Sequence, residues 1–370
     1  MSKRQERDAR DAKVQEYLQD RADELDKVNN VQRSRSVAVN AARDRLFLEQ
    51  LDGVLQERLS NKYFVGKAYK TSKRGNEKTQ RILNLVLSDL HYGAMLDNRE
   101  VPLQYGHAEE ARRTAAVVLQ AAEYKMQYRG ETELYVHLLG DLIQNQLHDM
   151  RDGAPLAEQS CSAIHLLTQA VVFLSGQFKK VTVFCTPGNH GRNMARHHDR
   201  AVCQKFDSIE TMIYFAIKTT TAHLSNVEVQ IPYTPYYTCR AFDMSIFASH
   251  GDTVLRPGYP NRAIDVEGIR KQINEINLGL KRRHSLFIVG HVHVASCTRL
   301  PNDVTFLSNG CLIPPDAYAQ SIGIFSTACC QALFETVPGI IMGDRRDIFV
   351  DEYTDKDKSL DNVIKPFENF

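Results

Sequence analysis

The chain has 370 residues, 43% hydrophobic and 25% charged, with 46 Lys and Arg against 45 Asp and Glu for a formal net charge of +1. That length suits one large domain or two small ones, and the mixture excludes intrinsic disorder and collagen-like repeats. No run of eighteen apolar residues occurs and the start, MSKRQERDAR, is charged, so neither a membrane span nor an export signal is expected and a cytoplasmic protein is.

In chain order, residues 1–60 contain no proline and space their apolar residues helically: Val14 and Leu18, then Val39, Ala42, Leu46, Leu48, Leu51, Val54 and Leu55. Two helices are expected, broken near Val28 to Ser36, and they offer a surface through which copies of the chain could form a homo-oligomer. Residues 61–81 follow as a basic linker in which Lys62, Lys67, Lys70, Lys73, Arg74, Lys78 and Arg81 face only Glu77. Clustered cations interleaved with Tyr63, Phe64 and Tyr69 suit a nucleic-acid backbone and its bases, although a solvated linker has the same composition.

After Arg81 the texture changes, and residues 82–370 read as the catalytic domain. A buried strand over 82–88 is followed by an amphipathic helix from His107 that closes at Gly130, and then by a second buried strand over 134–139. A helix over 157–178 leads to a strand at 181–185, and a helix over 202–220 leads to Val227–Ile231. Strands at 236–241 and 244–249, a helix over 263–281, a strand at 286–289 and short strands through Val350 complete the pattern. Strand–helix repeats followed by hairpins predict two mixed β-sheets packed face to face with helices outside. Eight cysteines, at positions 161, 185, 203, 239, 297, 311, 329 and 330, form no CxxC pair and are expected to be reduced, mostly buried thiols.

Residues with metal-ligand character recur where the apolar runs end. They are Ser88-Asp89-Leu90-His91, Gly140-Asp141, Pro187-Gly188-Asn189-His190, Ser249-His250-Gly251-Asp252 and Gly290-His291-Val292-His293. Each motif alone fits ordinary turn or capping chemistry. Five in sequence, each at the carboxyl end of a hydrophobic strand, point instead to one crevice beyond the sheet edge.

Taken in that order, DLH, GD, GNH, HG and GHVH resemble the calcineurin-like metallophosphoesterase family, including its DNA-repair-exonuclease-like branch. The resemblance spans about Leu83 to Val294. It implies an α/β fold, an αββα four-layer sandwich, holding two divalent metal ions, with Mn expected and Fe, Zn or Mg as the other choices. By resemblance Asp89, His91 and His293 would hold the first metal, Asn189, His250 and His291 the second, and Asp141 would bridge them. A metal-bridging hydroxide would attack phosphorus directly, with His190 donating a proton to the leaving oxygen. Asp141 and His190 are thus the expected catalytic residues.

Three departures bear on substrate. The Asp-Arg-Gly stretch of the family's protein phosphatases is absent, Gln144 replaces the last aspartate of the nuclease pattern Gly-Asp-x-x-Asp, and Gly191 replaces the acidic residue that usually follows GNH and orients the histidine. His190 must then be oriented from elsewhere. Asn189, Arg192 and His198 are the candidate substrate-binding residues, the last two lying in a basic loop that could equally be solvated surface. Tyr92 and His148 are weaker candidates, and His165 is expected in the core. The expected function is hydrolysis of phosphodiesters in nucleic acid, as an exonuclease or endonuclease. Alternatives are a small phosphoester substrate and a non-catalytic scaffold.

Overall fold

The computed structural model describes residues 80–96, 105–127, 132–145, 153–192, 205–258, 264–321, 323, 329–350 and 363–368. The expected N-terminal helices, nearly all of the basic linker, His148, His198 and Cys203 lie outside the described residues.

Two mixed sheets form the centre. The first has the order β11-β10-β1-β2-β3-β4, from β1 (Ile82–Leu87), β2 (Glu133–Leu138), β3 (Lys180–Cys185), β4 (Val227–Gln230), β10 (Cys330–Thr336) and β11 (Arg345–Phe349). The second has the order β5-β6-β7-β9-β8, from β5 (Tyr236–Ala241), β6 (Met244–Ser249), β7 (Leu286–Val289), β8 (Ser296–Leu300) and β9 (Val304–Ser308). Strands β1 to β4 run parallel, as do β6, β7 and β9, so the parallel strands of each sheet present their carboxyl ends together. Parallel strands covered on both faces require continuous apolar sequence, and β1 (ILNLVL) and β7 (LFIV) are buried throughout.

The sheets face each other across a core that joins Ile82, Val86, Phe184 and Phe334 of the first to Tyr237, Ile246, Leu286, Ile288 and Leu307 of the second. Burying each large apolar side chain there contributes about 1.5–3 kcal/mol. Outside the first sheet pack α1 (His107–Met126), α2 (Leu156–Ser175) and α3 (Ile209–Thr220), with α2 between its two neighbours. Burial on all sides explains why α2 carries the nearly continuous apolar run SAIHLLTQAVVFL. Outside the second sheet, α4 (Val266–Gly279) buries Ile269 and Ile273 against Phe247, Phe287 and Phe306. The result is the expected αββα sandwich.

Helix ends differ from expectation in ways the caps explain. α3 starts at Ile209 and not near Val202, because the Ser208 hydroxyl accepts from Glu210 N and fixes the first turn, while residues 205–208 form a turn and bend. α4 starts at Val266, where Asp265 accepts from Gly268 N. A short segment at 363–368 lies along α2: Lys365 N donates to Gln169 Oε1, its carbonyl accepts from His165 and Gln169, and Ile364 and Phe367 are buried. His165 is thus the core residue expected. Cys161, Cys185, Cys239, Cys311, Cys329 and Cys330 are buried free thiols, and Cys297 is exposed. No helix among the described residues is long and apolar enough to cross a membrane.

Candidate metal centre

Five strand ends deliver the polar residues to one place. β1 runs into Asp89 and His91, β2 into Asp141, β3 into Asn189 and His190, β6 into His250, and β7 into His291 and His293. Three donor groups result, each with ligand atoms within 4.8 Å of one another: Asp89, His91 and His293; His91, Asp141 and His190; and Asp141, His250 and His291. Asp141 belongs to two of them. Asn189 joins the third, its Oδ1 lying 3.1 Å from His250 Nε2. All seven expected ligand residues therefore meet.

The backbone is bent to bring them there. Asp89 (φ 55°), His91 (50°), Asp141 (50°), His291 (74°) and His293 (55°) all adopt the left-handed conformation. Short polar side chains tolerate it best, yet such positions cost of order 1–3 kcal/mol each and cluster where function requires them. The surrounding backbone bonds enforce the bend. Leu90 N and His91 N both donate to Asp141 O at 2.8 and 3.0 Å, Gly290 N donates to His250 O at 2.8 Å, and His291 N donates to Asp89 Oδ1 at 3.0 Å. Gly188 is obligatory, since a Cβ there would stand 2.1 Å from Asp141 Oδ1.

The electrostatics suit cations. His250 Nδ1 donates to the Leu139 carbonyl at 2.7 Å, which turns Nε2 toward Asp141 Oδ2 at 3.1 Å. Burial opposes a charged His250, but Asp141 beside it outweighs burial and raises its pKa. Burial likewise pushes Asp141 upward, and the imidazoles of His250, His190 and His91 hold it well below the usual carboxylate range. Positive charge is thus favoured at the point where Asp141, Asn189 and His250 meet. On the other side His91 Nε2 and His293 Nε2 face each other at 3.3 Å, with Asp89 Oδ1 3.3 Å from the latter. Burial and the neighbouring His190 and His293 keep His91 neutral, and burial and His250 bring His291 down to about 4, so both offer lone pairs. Imidazole, carboxylate and amide oxygen converging without a proton for every contact fit two divalent metals.

His190 is oriented by a backbone oxygen. Its Nδ1 donates to the Gln144 carbonyl at 2.6 Å, while its own N donates to Asp141 Oδ1 at 2.8 Å. Asn145 (φ 54°) locks the loop by donating from Nδ2 to the carbonyls of His190 at 2.5 Å and Arg192 at 2.8 Å.

Glu210 belongs to none of the sequence motifs. This carboxylate, fully buried on the first turn of α3, accepts from Leu142 N and Gly188 N, both at 2.6 Å, and so ties the Asp141 loop to the Asn189 loop. A Cβ on Gly191 would lie 2.7 Å from Glu210 Cγ and 2.3 Å from Ser208 Oγ. The volume that an acidic residue after GNH would enter is filled from α3. Burial and the nearby Asp141 raise Glu210 to about 7.

Of the other candidates, Arg192 pairs through its backbone with Ser208 and follows the centre directly in sequence. Tyr92 is buried with its hydroxyl 2.7 Å from Thr114 Oγ1, a packing role. His107 lies between Glu110 Oε2 at 2.9 Å and Glu158 Oε1 at 2.8 Å, and Glu110 also accepts from Gly93 N just past the His91 loop.

No protein-family model and no curated protein matches the sequence. Solved structures are similar to it only at low identity. One is a conserved uncharacterized protein, a predicted phosphoesterase, from Streptococcus pneumoniae, at 13% identity over 72% of this chain and 98% of that one with a TM-score of 0.28. Another is the zinc complex of Vps29 from Entamoeba histolytica, at 10% identity over 72% and 99% with a TM-score of 0.29. A third is a putative 5′-nucleotidase from Staphylococcus aureus, at 12% identity over 76% of this chain and 58% of that one with a TM-score of 0.34. These structure neighbours are calcineurin-like metallophosphoesterases. The chemistry rests on the side chains described above.

Proposed function

We propose that the chain is a metal-dependent phosphodiesterase acting on the backbone of a nucleic acid. The observation that supports this is the sharing of Asp141 between two donor groups that otherwise draw on different strands. Asp89, His91 and His293 would hold one divalent cation, Asn189, His250 and His291 the other, and Asp141 both, with manganese as the proposed metal. Two such cations, when bound, lower the pKa of a water and neutralise charge on phosphoryl oxygens.

The protein's own groups supply the rest. His190 keeps its Nδ1 proton on the Gln144 carbonyl, so when the ring carries a second proton, Nε2 is the atom that can give it to a leaving oxygen. Because a neutral carbonyl orients the ring, the Gln144 backbone does the work of the acidic residue that would follow GNH. Glu210 and Asn145 hold the loops that carry Asp141, Asn189 and His190 and so limit their motion. The missing Asp-Arg-Gly arginine removes a partner for a terminal phosphate dianion, which favours diesters over monoesters.

The test is turnover by purified protein with manganese on bis-p-nitrophenyl phosphate, p-nitrophenyl phosphate, single- and double-stranded DNA and RNA. Diester and polymer cleavage abolished by a chelator is expected. Monoester turnover tenfold or more above diester turnover would replace this reading with a phosphomonoesterase.

A further inference from the structure

Two exposed aromatic rings stand beside the His250 loop. Phe206 and Tyr233 contact each other edge to face with centroids 5.8 Å apart, yet they remain 44% and 81% exposed. The other exposed large apolar side chains among the described residues lie on α1, α3, α4 and its C-terminal end, or the β10–β11 hairpin. Scattered single residues of that kind are ordinary. A ring pair exposed together at the edge of a donor cluster is not.

Independent contacts place each ring there. Lys205 Nζ forms an ion pair with Asp252 Oδ2 at 2.6 Å, with both side chains under a tenth exposed. Asp252 follows His250 by two residues, and its carboxyl is lowered by Lys205 and by the imidazoles of His250 and His291, against burial. Phe206 is therefore pinned next to that loop through its neighbour. Tyr233 arrives from the other side. β5 pairs antiparallel with β6 so that Tyr236 lies opposite Ser249, the residue before His250. Tyr233 precedes Tyr236 by three residues, a reach of about 10 Å at most, and continues past the end of β6 where the loop begins. Pro232 and Pro235 bracket it in the segment IPYTP, fixing two backbone torsions, and Thr234 Oγ1 donates to the Tyr236 carbonyl. The ring is held out by a stiff turn, so little conformational freedom is lost when something settles on it.

We propose that Phe206 and Tyr233 form a stacking platform for a nucleobase of the phosphoester whose phosphate lies at the metal centre. This rests on the phosphodiesterase reading and narrows it to esters bearing a planar heteroaromatic ring. Stacking tolerates any base, since each presents a flat π-face, and it needs no hydrogen-bonding partner.

The experiment compares full-length protein, Tyr233→Ala, Phe206→Ala and the conservative Tyr233→Phe on two diesters: dithymidine monophosphate and the same backbone with abasic tetrahydrofuran residues. The platform predicts that wild type favours the base-bearing diester in kcat/KM by about fivefold to a hundredfold. In Tyr233→Ala that ratio falls toward one, and Tyr233→Phe keeps it. A ratio that stays within twofold of wild type in both alanine variants would overturn the platform. If neither diester is cleaved, the phosphodiesterase reading fails, and equilibrium dialysis of thymidine 5′-monophosphate still reads the rings. Binding weakened at least fivefold by Tyr233→Ala supports them, and equal binding by wild type and variant overturns them.

Discussion

A buried histidine between the sheets and the histidines at the strand ends behave oppositely. Between the sheets His137 has both ring nitrogens engaged, with the Tyr237 hydroxyl 2.5 Å from Nδ1 and Asn84 Oδ1 3.1 Å from Nε2, while Asn84 passes the chain on to Thr336 Oγ1. Burial alone brings His137 to about 3, so the seam is neutral and self-sufficient. At the strand ends His91 and His293 present nitrogens to each other, and His250 faces a carboxylate and an amide oxygen. Residue type is the same in both places, and His91 and His250 are as deeply buried as His137. What differs is whether the polar atoms satisfy one another, and only the strand-end group leaves donor atoms converging on a point that favours positive charge.

The largest effect should come from Asp141→Asn, which removes the anion shared by two of the three donor groups. Diester turnover should fall by several orders of magnitude while the fold survives, and a steady-state assay beside a circular dichroism spectrum checks both. His190→Ala should keep metal binding and lower kcat about 10²–10⁴-fold. The loss should be greater for alkoxide than for nitrophenolate leaving groups, so a leaving-group series reads the role directly.

Glu210→Gln sets a donor amide against one of two backbone N–H groups. Metal affinity or turnover should drop about 10–100-fold, the usual consequence of loosening a support of ligand residues, and titration calorimetry with manganese measures it. His137→Phe sharpens the contrast from the other side. It strands the Tyr237 hydroxyl and Asn84 amide, each at about 1–3 kcal/mol, so denaturant unfolding should shift while the manganese affinity of the folded protein stays at the wild-type value.

The smallest effect concerns pH. Burial lowers His107, but Glu110 and Glu158 outweigh it and raise its pKa in the fold. Protonated His107 therefore stabilises the folded chain fully below the unfolded value of about 6.5, and that contribution disappears as pH rises through the raised folded value. The difference in unfolding midpoint between wild type and His107→Gln should be greatest at mildly acidic pH and shrink under alkaline conditions.

The residues of the donor cluster are legible in the sequence because each follows an apolar strand directly, so strand and motif locate one another. The layers followed from the alternation of strands and helices. Glu210 could not be read, because its partners Gly188 and Leu142 lie 22 and 68 residues away and its position on α3 shows only an ordinary first-turn glutamate. The orientation of His190 was hidden for a different reason: the acceptor is the Gln144 backbone carbonyl, which every residue possesses. The expected start of α3 differs from Ile209 because Phe206, Ile209 and Ile213 continue a helical spacing through a turn, whereas Ser208, the capping residue, marks the boundary.

On the function proposed above, the strand-end histidines and carboxylates form a dinuclear centre. Elemental analysis of the purified chain, after loading with manganese and removal of excess metal, measures it directly. Two metal ions per chain are expected, lost together with diester hydrolysis on treatment with a chelator. A chain that binds no metal and keeps full activity in the chelator would contradict that function.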